Sequence, residues 1–100
     1  MRIVAVTACP TGVAHTYMAA EQLEQTAKRL GHTIRVETQG AMGIENELSE
    51  AEIAAADVAI FAADIAVEGA ERFEGLRLIE VPVQAVLKQP DSIFDRIAAG

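Results

Sequence analysis

The sequence predicts an α/β fold, a three-layer α/β/α sandwich built on a four-stranded parallel sheet with helices on both faces. Two continuous apolar runs, residues 3–8 and 58–63, have the composition of strands buried on both sides. Segments with a helical apolar period separate the strand-like runs, and this alternation makes parallel strands joined by right-handed crossovers. The 100 residues, about half of them apolar, suit one domain spanning 1–100.

In chain order, residues 3–8 form the first strand. Ala20, Leu23, Ala27 and Leu30 then make a stripe at spacings of three and four, which predicts a helix over residues 16–30 with Thr16 as its N-cap. Lys28 and Arg29 suit its C-terminal end, and Gly31 stops it. Residues 32–38 alternate as a second strand with Ile34 and Val36 inward, and residues 39–43 read as loop. Ser49 and Glu52 form a capping box for a short helix to about residue 56. The third strand, 58–63, ends at Asp64. A brief helix within 67–73 precedes Gly75 and the fourth strand, 76–81, closed by Pro82. Residues 83–89 and 91–99 are helical in pattern, with Pro90 at the first turn of the second piece or as a kink.

Charge and composition exclude several classes. A net charge of −7, with ten acids against Arg72 and Arg77 between Glu45 and Glu80, disfavours nucleic acid and anionic membrane surfaces. Residues 3–20 carry no formal charge, yet Pro10, Gly12, His15 and three threonines interrupt them, so they do not make a membrane span. Val6-Thr7-Ala8-Cys9 has the look of a lipoprotein cleavage site, but too few apolar residues precede it for a signal peptide. One cysteine allows no internal disulfide and no zinc signature, which fits a reducing cytosolic setting.

That cysteine stands where the first strand passes into the first helix. The loop beside it holds Pro10, Thr11 and Gly12 and no Lys or Arg. Backbone N–H groups at a helix N-terminus make an anion nest, and a thiolate placed there is stabilised by the helix dipole and those donors. Cys9 is therefore expected to be a nucleophile carrying a phosphoryl group, with Thr11, Gly12, Val13, Ala14, His15 and Thr16 as phosphate-binding positions. A lone cysteine is more often a small buried core residue, but a core cysteine belongs inside a strand rather than at its end. His15 either stabilises the thiolate or phosphoryl charge or faces water, and Thr16 caps the helix, contacts phosphate, or both. Tyr17 and Met18 are expected to be packed, His32 to be structural, and Arg72 to lie on a solvated face or to meet a partner or the phosphate.

The run Ala8-Cys9-Pro10-Thr11-Gly12-Val13-Ala14-His15-Thr16-Tyr17-Met18-Ala19-Ala20-Glu21 closely resembles the loop of the fructose-family enzyme IIB domains, the cysteine phosphocarriers of the bacterial phosphoenolpyruvate-dependent sugar phosphotransferase system. The likeness continues through Val36-Glu37-Thr38-Gln39-Gly40, Gly43-Ile44-Glu45-Asn46, Ala62-Ala63-Asp64 and Arg72-Phe73-Glu74-Gly75, with Leu76 departing from the lysine of many relatives. The resemblance supports strand order 2-1-3-4, which puts a switch-point crevice at the carboxyl ends of strands one and three, beside Cys9. It implies that Cys9 takes a phosphoryl group from a phosphohistidine on an enzyme IIA partner. The group then passes to fructose, mannose or a fructose-like sugar in the membrane enzyme IIC. It further implies no metal or organic cofactor, no nucleic-acid partner, no membrane insertion of this domain, and a cytoplasmic place at the inner face of the membrane.

The competing reading is a low-molecular-weight-type cysteine phosphatase, whose loop runs Cys, five residues, Arg. His15 occupies the arginine position, which removes the bidentate clamp, and Asp64 is the only obvious acid near the strand ends. A non-catalytic anion-binding module would need no thiol, and a thiol redox role lacks a resolving cysteine.

Overall fold

The computed structural model of the chain describes residues 1–9, 13–40 and 43–99. Its elements in order are β1 (Arg2–Ala8), α1 (Val13–Arg29), β2 (Thr33–Gly40), β3 (Gly43–Glu45), α2 (Glu50–Ala54), β4 (Val58–Ala63), a 3-10 turn (Ala70–Phe73), β5 (Arg77–Val81), α3 (Val83–Lys88) and α4 (Pro90–Ala99). They form the expected α/β arrangement around one sheet in the order β3-β2-β1-β4-β5.

The four predicted strands take their predicted order, as β2-β1-β4-β5, and all three contacts among them are parallel. The sheet nevertheless has five strands and is mixed, not four-stranded and parallel. Residues 39–43 were expected as loop, whereas β2 continues to Gly40 and the chain returns antiparallel through β3, pairing Thr38 with Glu45 and Gln39 with Ile44. All three residues of β3 are exposed, so the strand buries no apolar face and leaves no alternation to read.

One face of the sheet packs under α1, α3 and α4. Ile3, Ala5, Val36, Ile60 and Ile79 meet Ala19, Leu23 and Ala27 of α1, Val83 and Val86 of α3, and Ile93, Phe94 and Ile97 of α4. Each large side chain fully buried here is worth about 1.5–3 kcal/mol, and the alanines of α1 let that helix lie close to the strands. On the other face Val4, Val6, Ala59 and Phe61 pack under Leu48, Ile53 of α2 and Phe73 of the 3-10 turn. Phe61 and Phe73 meet edge to face with centroids 5.1 Å apart.

Local signals place the element ends. The α1 stop is a Schellman turn, with His32 N–H donating to the Ala27 carbonyl (2.8 Å), Gly31 N–H to that of Lys28 (3.2 Å), and Gly31 at φ 83°. Leu30, expected on the buried stripe, falls past the helix end in this turn and is 44% exposed. The capping box at α2 is present, with Ser49 Oγ accepting from Glu52 N–H (3.1 Å) and Ser49 N–H donating to the Glu52 carboxylate (3.0 Å). Pro90 opens α4 as its first residue. Among the described residues no helix is long and apolar enough to cross a membrane.

Candidate functional site

The carboxyl ends of the parallel strands converge on Cys9. Ala8, the last residue of β1, lies in register with Gln39 of β2 on one side and Ala63 of β4 on the other. β1 leads through α1 to β2 on one flank while β4 occupies the other, so Cys9 stands at the switch point of the sheet. Cys9 is 4% exposed and belongs to the core cluster under α1.

The first turn of α1 follows within four residues and carries no acidic side chain, leaving the positive helix end unopposed. Thr7 ties strand to helix, its hydroxyl donating to the Thr16 carbonyl at 3.2 Å. Thr16 is 1% exposed, and a Cβ built on Gly40 would stand 3.6 Å from Thr16 Oγ1, so this hydroxyl lies beside the end of β2. Asp64 closes the other flank: its N–H donates to the Ala8 carbonyl (2.9 Å), and its carboxylate accepts from Val83 N–H (3.2 Å) at the start of α3.

Of the expected phosphate-binding positions, Val13, Ala14, His15 and Thr16 all fall in the first turn of α1, with Ala14 and His15 exposed and Thr16 buried. Thr11, Gly12 and the side chain of Val13 lie outside the described residues. Thr16 does not cap the helix as expected, because α1 begins three residues earlier at Val13. No stripe residue precedes Ala20, so the apolar period gave no sign of that earlier start.

Tyr17 and Met18 are not packed as expected. They are 42% and 52% exposed, and the Tyr17 hydroxyl donates to the Glu45 carboxylate of β3. That hydrogen bond holds the Tyr17 hydroxyl above the usual phenol range. Ile44 and Ile65, also exposed, line one hollow with Gln39 and Gly40 at the end of β2, and with Tyr17 bonded to the neighbouring Glu45 they make an apolar rim there.

Arg72 does not lie on an open solvated face but is bonded within the fold. Its guanidinium forks onto Glu37 of β2, NH1 to Oε1 at 2.9 Å and NH2 to Oε2 at 3.0 Å, and also donates to the carbonyls of Gly69 and Glu68. Glu37 is fully buried and also accepts from Leu48 N–H and from the Gln39 amide. Burial pushes its carboxyl up, but Arg72, Leu48 N–H and Gln39 outweigh burial and hold it below the usual carboxylate range. Sequence reasoning missed Glu37 and Gln39. Their one signal is shared strand parity, which puts both side chains on the face opposite α1. Among the described residues no three His, Cys, Asp or Glu side chains converge as a metal site would require.

Comparison with known proteins agrees with this geometry. A family model described as the lactose/cellobiose-specific IIB subunit of the PTS system matches residues 4–96. The chain is 49% identical over 98 residues to a PTS system fructose-like EIIB component 2 of Escherichia coli, covering 98% of this chain and 92% of that protein. It is 52% identical over 99 residues to a fructose-like PTS system EIIBC component of the same species, where it matches 97% of its own length but spans only 20% of that longer protein. A crystal structure of a predicted fructose-specific IIB from Escherichia coli superposes with a TM-score of 0.93 at 45% identity, covering 97% of this chain and 86% of that one.

Proposed function

Because the chain belongs to the enzyme IIB family of the bacterial sugar phosphotransferase system, in its fructose-type branch, we propose that Cys9 is the residue that carries the phosphoryl group. The Cys9 sulfur attacks the phosphorus of a phosphohistidine on an enzyme IIA partner. With the sulfur attacking as thiolate, the S–P bond forms as the N–P bond breaks, and the imidazole, protonated on its other ring nitrogen, leaves neutral. In the second step a sugar hydroxyl held by membrane enzyme IIC attacks the phosphorus. The S–P bond breaks, the thiolate leaves without protonation, and a base on the IIC side takes the hydroxyl proton. Fructose or a fructose-like sugar is the proposed acceptor, in keeping with the names of the relatives, and the domain works on the cytoplasmic side of the membrane.

The observation that carries this reading is the position of Cys9, directly after the central strand and at the head of a helix whose first turn holds no acid. Thr11, Gly12, Val13, Ala14, His15 and Thr16 supply the donors that hold the phosphoryl oxygens, through backbone N–H groups and, at Thr16, the buried hydroxyl. Catalysis is then positioning plus electrostatic stabilisation.

The phosphatase alternative loses support. Arg72 forks onto Glu37 and the Asp64 carboxylate accepts from the start of α3, which favours the carrier over a loop with an arginine clamp and a general acid. Incubation with a phosphorylated IIA domain, followed by mass spectrometry, should add one phosphoryl group, on Cys9. Cys9→Ser should fold and abolish sugar phosphorylation; a variant that still supports it would refute the relay. Rapid turnover of an aryl phosphate by the wild type, with phosphocysteine lost to water in seconds, would restore the phosphatase.

A further inference from the structure

The chain leaves β4 at Ala63 on one side of β1, and at Glu68 it is bonded to β2 on the other side. Residues 64–68 therefore form a strap across the end of β1, where Cys9 begins. The near end is fixed by Asp64 N–H on the Ala8 carbonyl. The far end is held chiefly by Gln39, with Arg72 NH2 sharing the Glu68 carbonyl at 3.1 Å. Gln39 Nε2 donates to the Glu68 carbonyl at 3.0 Å and its Oε1 accepts from Glu68 N–H at 2.8 Å, so it satisfies both backbone groups of a single residue as a paired strand would.

The Gln39 amide is itself oriented. Its Nε2 also donates to Glu37 Oε2 at 2.7 Å, and Glu37 is gripped by the Arg72 fork, which reaches back to the carbonyls of Glu68 and Gly69. Gly69 lies at φ 70°, and a Cβ there would stand 2.5 Å from Arg72 Nε, so the strap is shaped to close over this guanidinium. A partly buried network of this kind, anchored on the buried Glu37, selects one placement of the segment it holds.

The strap carries Ile65, which is exposed and faces Ile44 of β3 across a hollow of about 90 Å³ floored by Gln39 and Gly40. We propose that Gln39 is a positioning residue for phosphoryl transfer. Acting through the strap, it fixes the Ile65 side of the apolar rim on which the phosphorylated IIA donor settles. The proposal rests on the phosphocarrier reading. It adds that the donor meets a preset rim, so that no ordering of residues 64–68 is needed at encounter.

The test is Gln39→Leu, which keeps the side-chain volume and removes both bonds to Glu68. Two measurements decide it: amide hydrogen exchange at Glu68, and the kinetics of transfer from a phosphorylated IIA domain over a range of donor concentrations. The Glu68 amide should lose its protection, and KM for the donor should rise about tenfold, the cost of ordering one or two side chains at encounter, with the rate at saturation within threefold of wild type. A merely structural role would instead lower the rate at saturation by reducing the folded fraction and leave KM alone. Ser49→Ala, which weakens α2 without touching the strap, should leave KM unchanged. A Glu68 amide as protected as in the wild type, or a KM within threefold of wild type, overturns the proposal. A wild type that takes no phosphoryl group on Cys9 overturns the phosphocarrier reading, and the docking role with it, whatever the exchange at Glu68 shows.

Discussion

The two faces of the sheet are covered by different means. Under α1, α3 and α4 the contacts are aliphatic and aromatic side chains from regular helices. The opposite face has only the five-residue α2, a single 3-10 turn and irregular chain, and it contains the fully buried Glu37 with Arg72 and Gln39 bound to it. Apolar burial is non-directional, and a long helix already has its shape before it docks. A short irregular cover has no such shape of its own. There, directional bonds to a buried charge select the arrangement that apolar contact with Val4, Val6, Phe61 and Phe73 alone leaves open.

Breaking the polar side should therefore cost most. Arg72→Ala leaves the Glu37 carboxylate buried without its ionic partner, which should destabilise the fold by about 3–5 kcal/mol. The loss should be pH-dependent with a definite sign. In the wild type the Glu37 carboxyl is held below its unfolded value, so its contribution is present above about pH 4.5 and fades as pH falls through the lowered value. Arg72→Ala lacks that contribution, and burial there favours the protonated carboxyl. The gap between variant and wild type in urea unfolding should be widest near neutrality and narrow below about pH 4.5. Adding Glu37→Gln should recover part of the loss at pH 7. A gap that does not change with pH would mean that Arg72 contributes through its stack on Phe73, 5.1 Å from the ring centroid, rather than through Glu37.

The apolar face gives the matching experiment. Leu23 is fully buried in the middle of α1, and Leu23→Ala should cost about 3 kcal/mol through lost transfer energy and the cavity left behind. Apart from the Cys9 thiol, whose ordinary range lies far above acid pH, the residues of that cluster are aliphatic or aromatic, so this loss should stay constant across the same pH range. A pH-dependent Leu23→Ala would show that the two sides of the sheet are energetically coupled in the folded state.

The same contrast decides what the sequence could disclose. The stripe of Ala20, Leu23 and Ala27, the run from Val58 to Ala63 and the Ser49 and Glu52 box each carry a short-range pattern, and each appears where the pattern puts it. Cys9 was legible as a candidate because a thiol between a strand and a helix start is itself a local feature. Glu37, Gln39 and Arg72 were not, because the bonds that join β2 to the segment 68–72 span 29–35 residues and an acid in a strand ordinarily faces water. The resemblance included Val36-Glu37-Thr38-Gln39-Gly40 and Arg72-Phe73-Glu74-Gly75 as separate stretches, and only the fold joins them. Tyr17 misled for the opposite reason. An aromatic residue on an amphipathic helix predicts burial, while here it stands on the rim and bonds to Glu45 of β3, a strand with no periodic signal of its own.

The smallest expected effect tests whether a local device on the polar side stays local. Ser49→Ala removes the side chain that caps α2 but leaves the residue 49 N–H and Arg35 in contact with Glu52. Loss of a serine N-cap costs about 1 kcal/mol. Ile53, the one buried residue of α2, belongs to the same cluster as Phe73, the residue after Arg72, so the cap and the network of Glu37, Gln39 and Arg72 share a core. If that network fixes its own geometry, the amide of Glu68 should keep its exchange protection in Ser49→Ala while the amides at the start of α2 lose theirs. The acid response of Glu52 should persist as well. Arg35 and the residue 49 N–H hold its carboxyl down to about 2. Loss of protection at Glu68 in this variant would show that α2 supports the strap, and would extend the positioning role from Gln39 to the whole cover of that face.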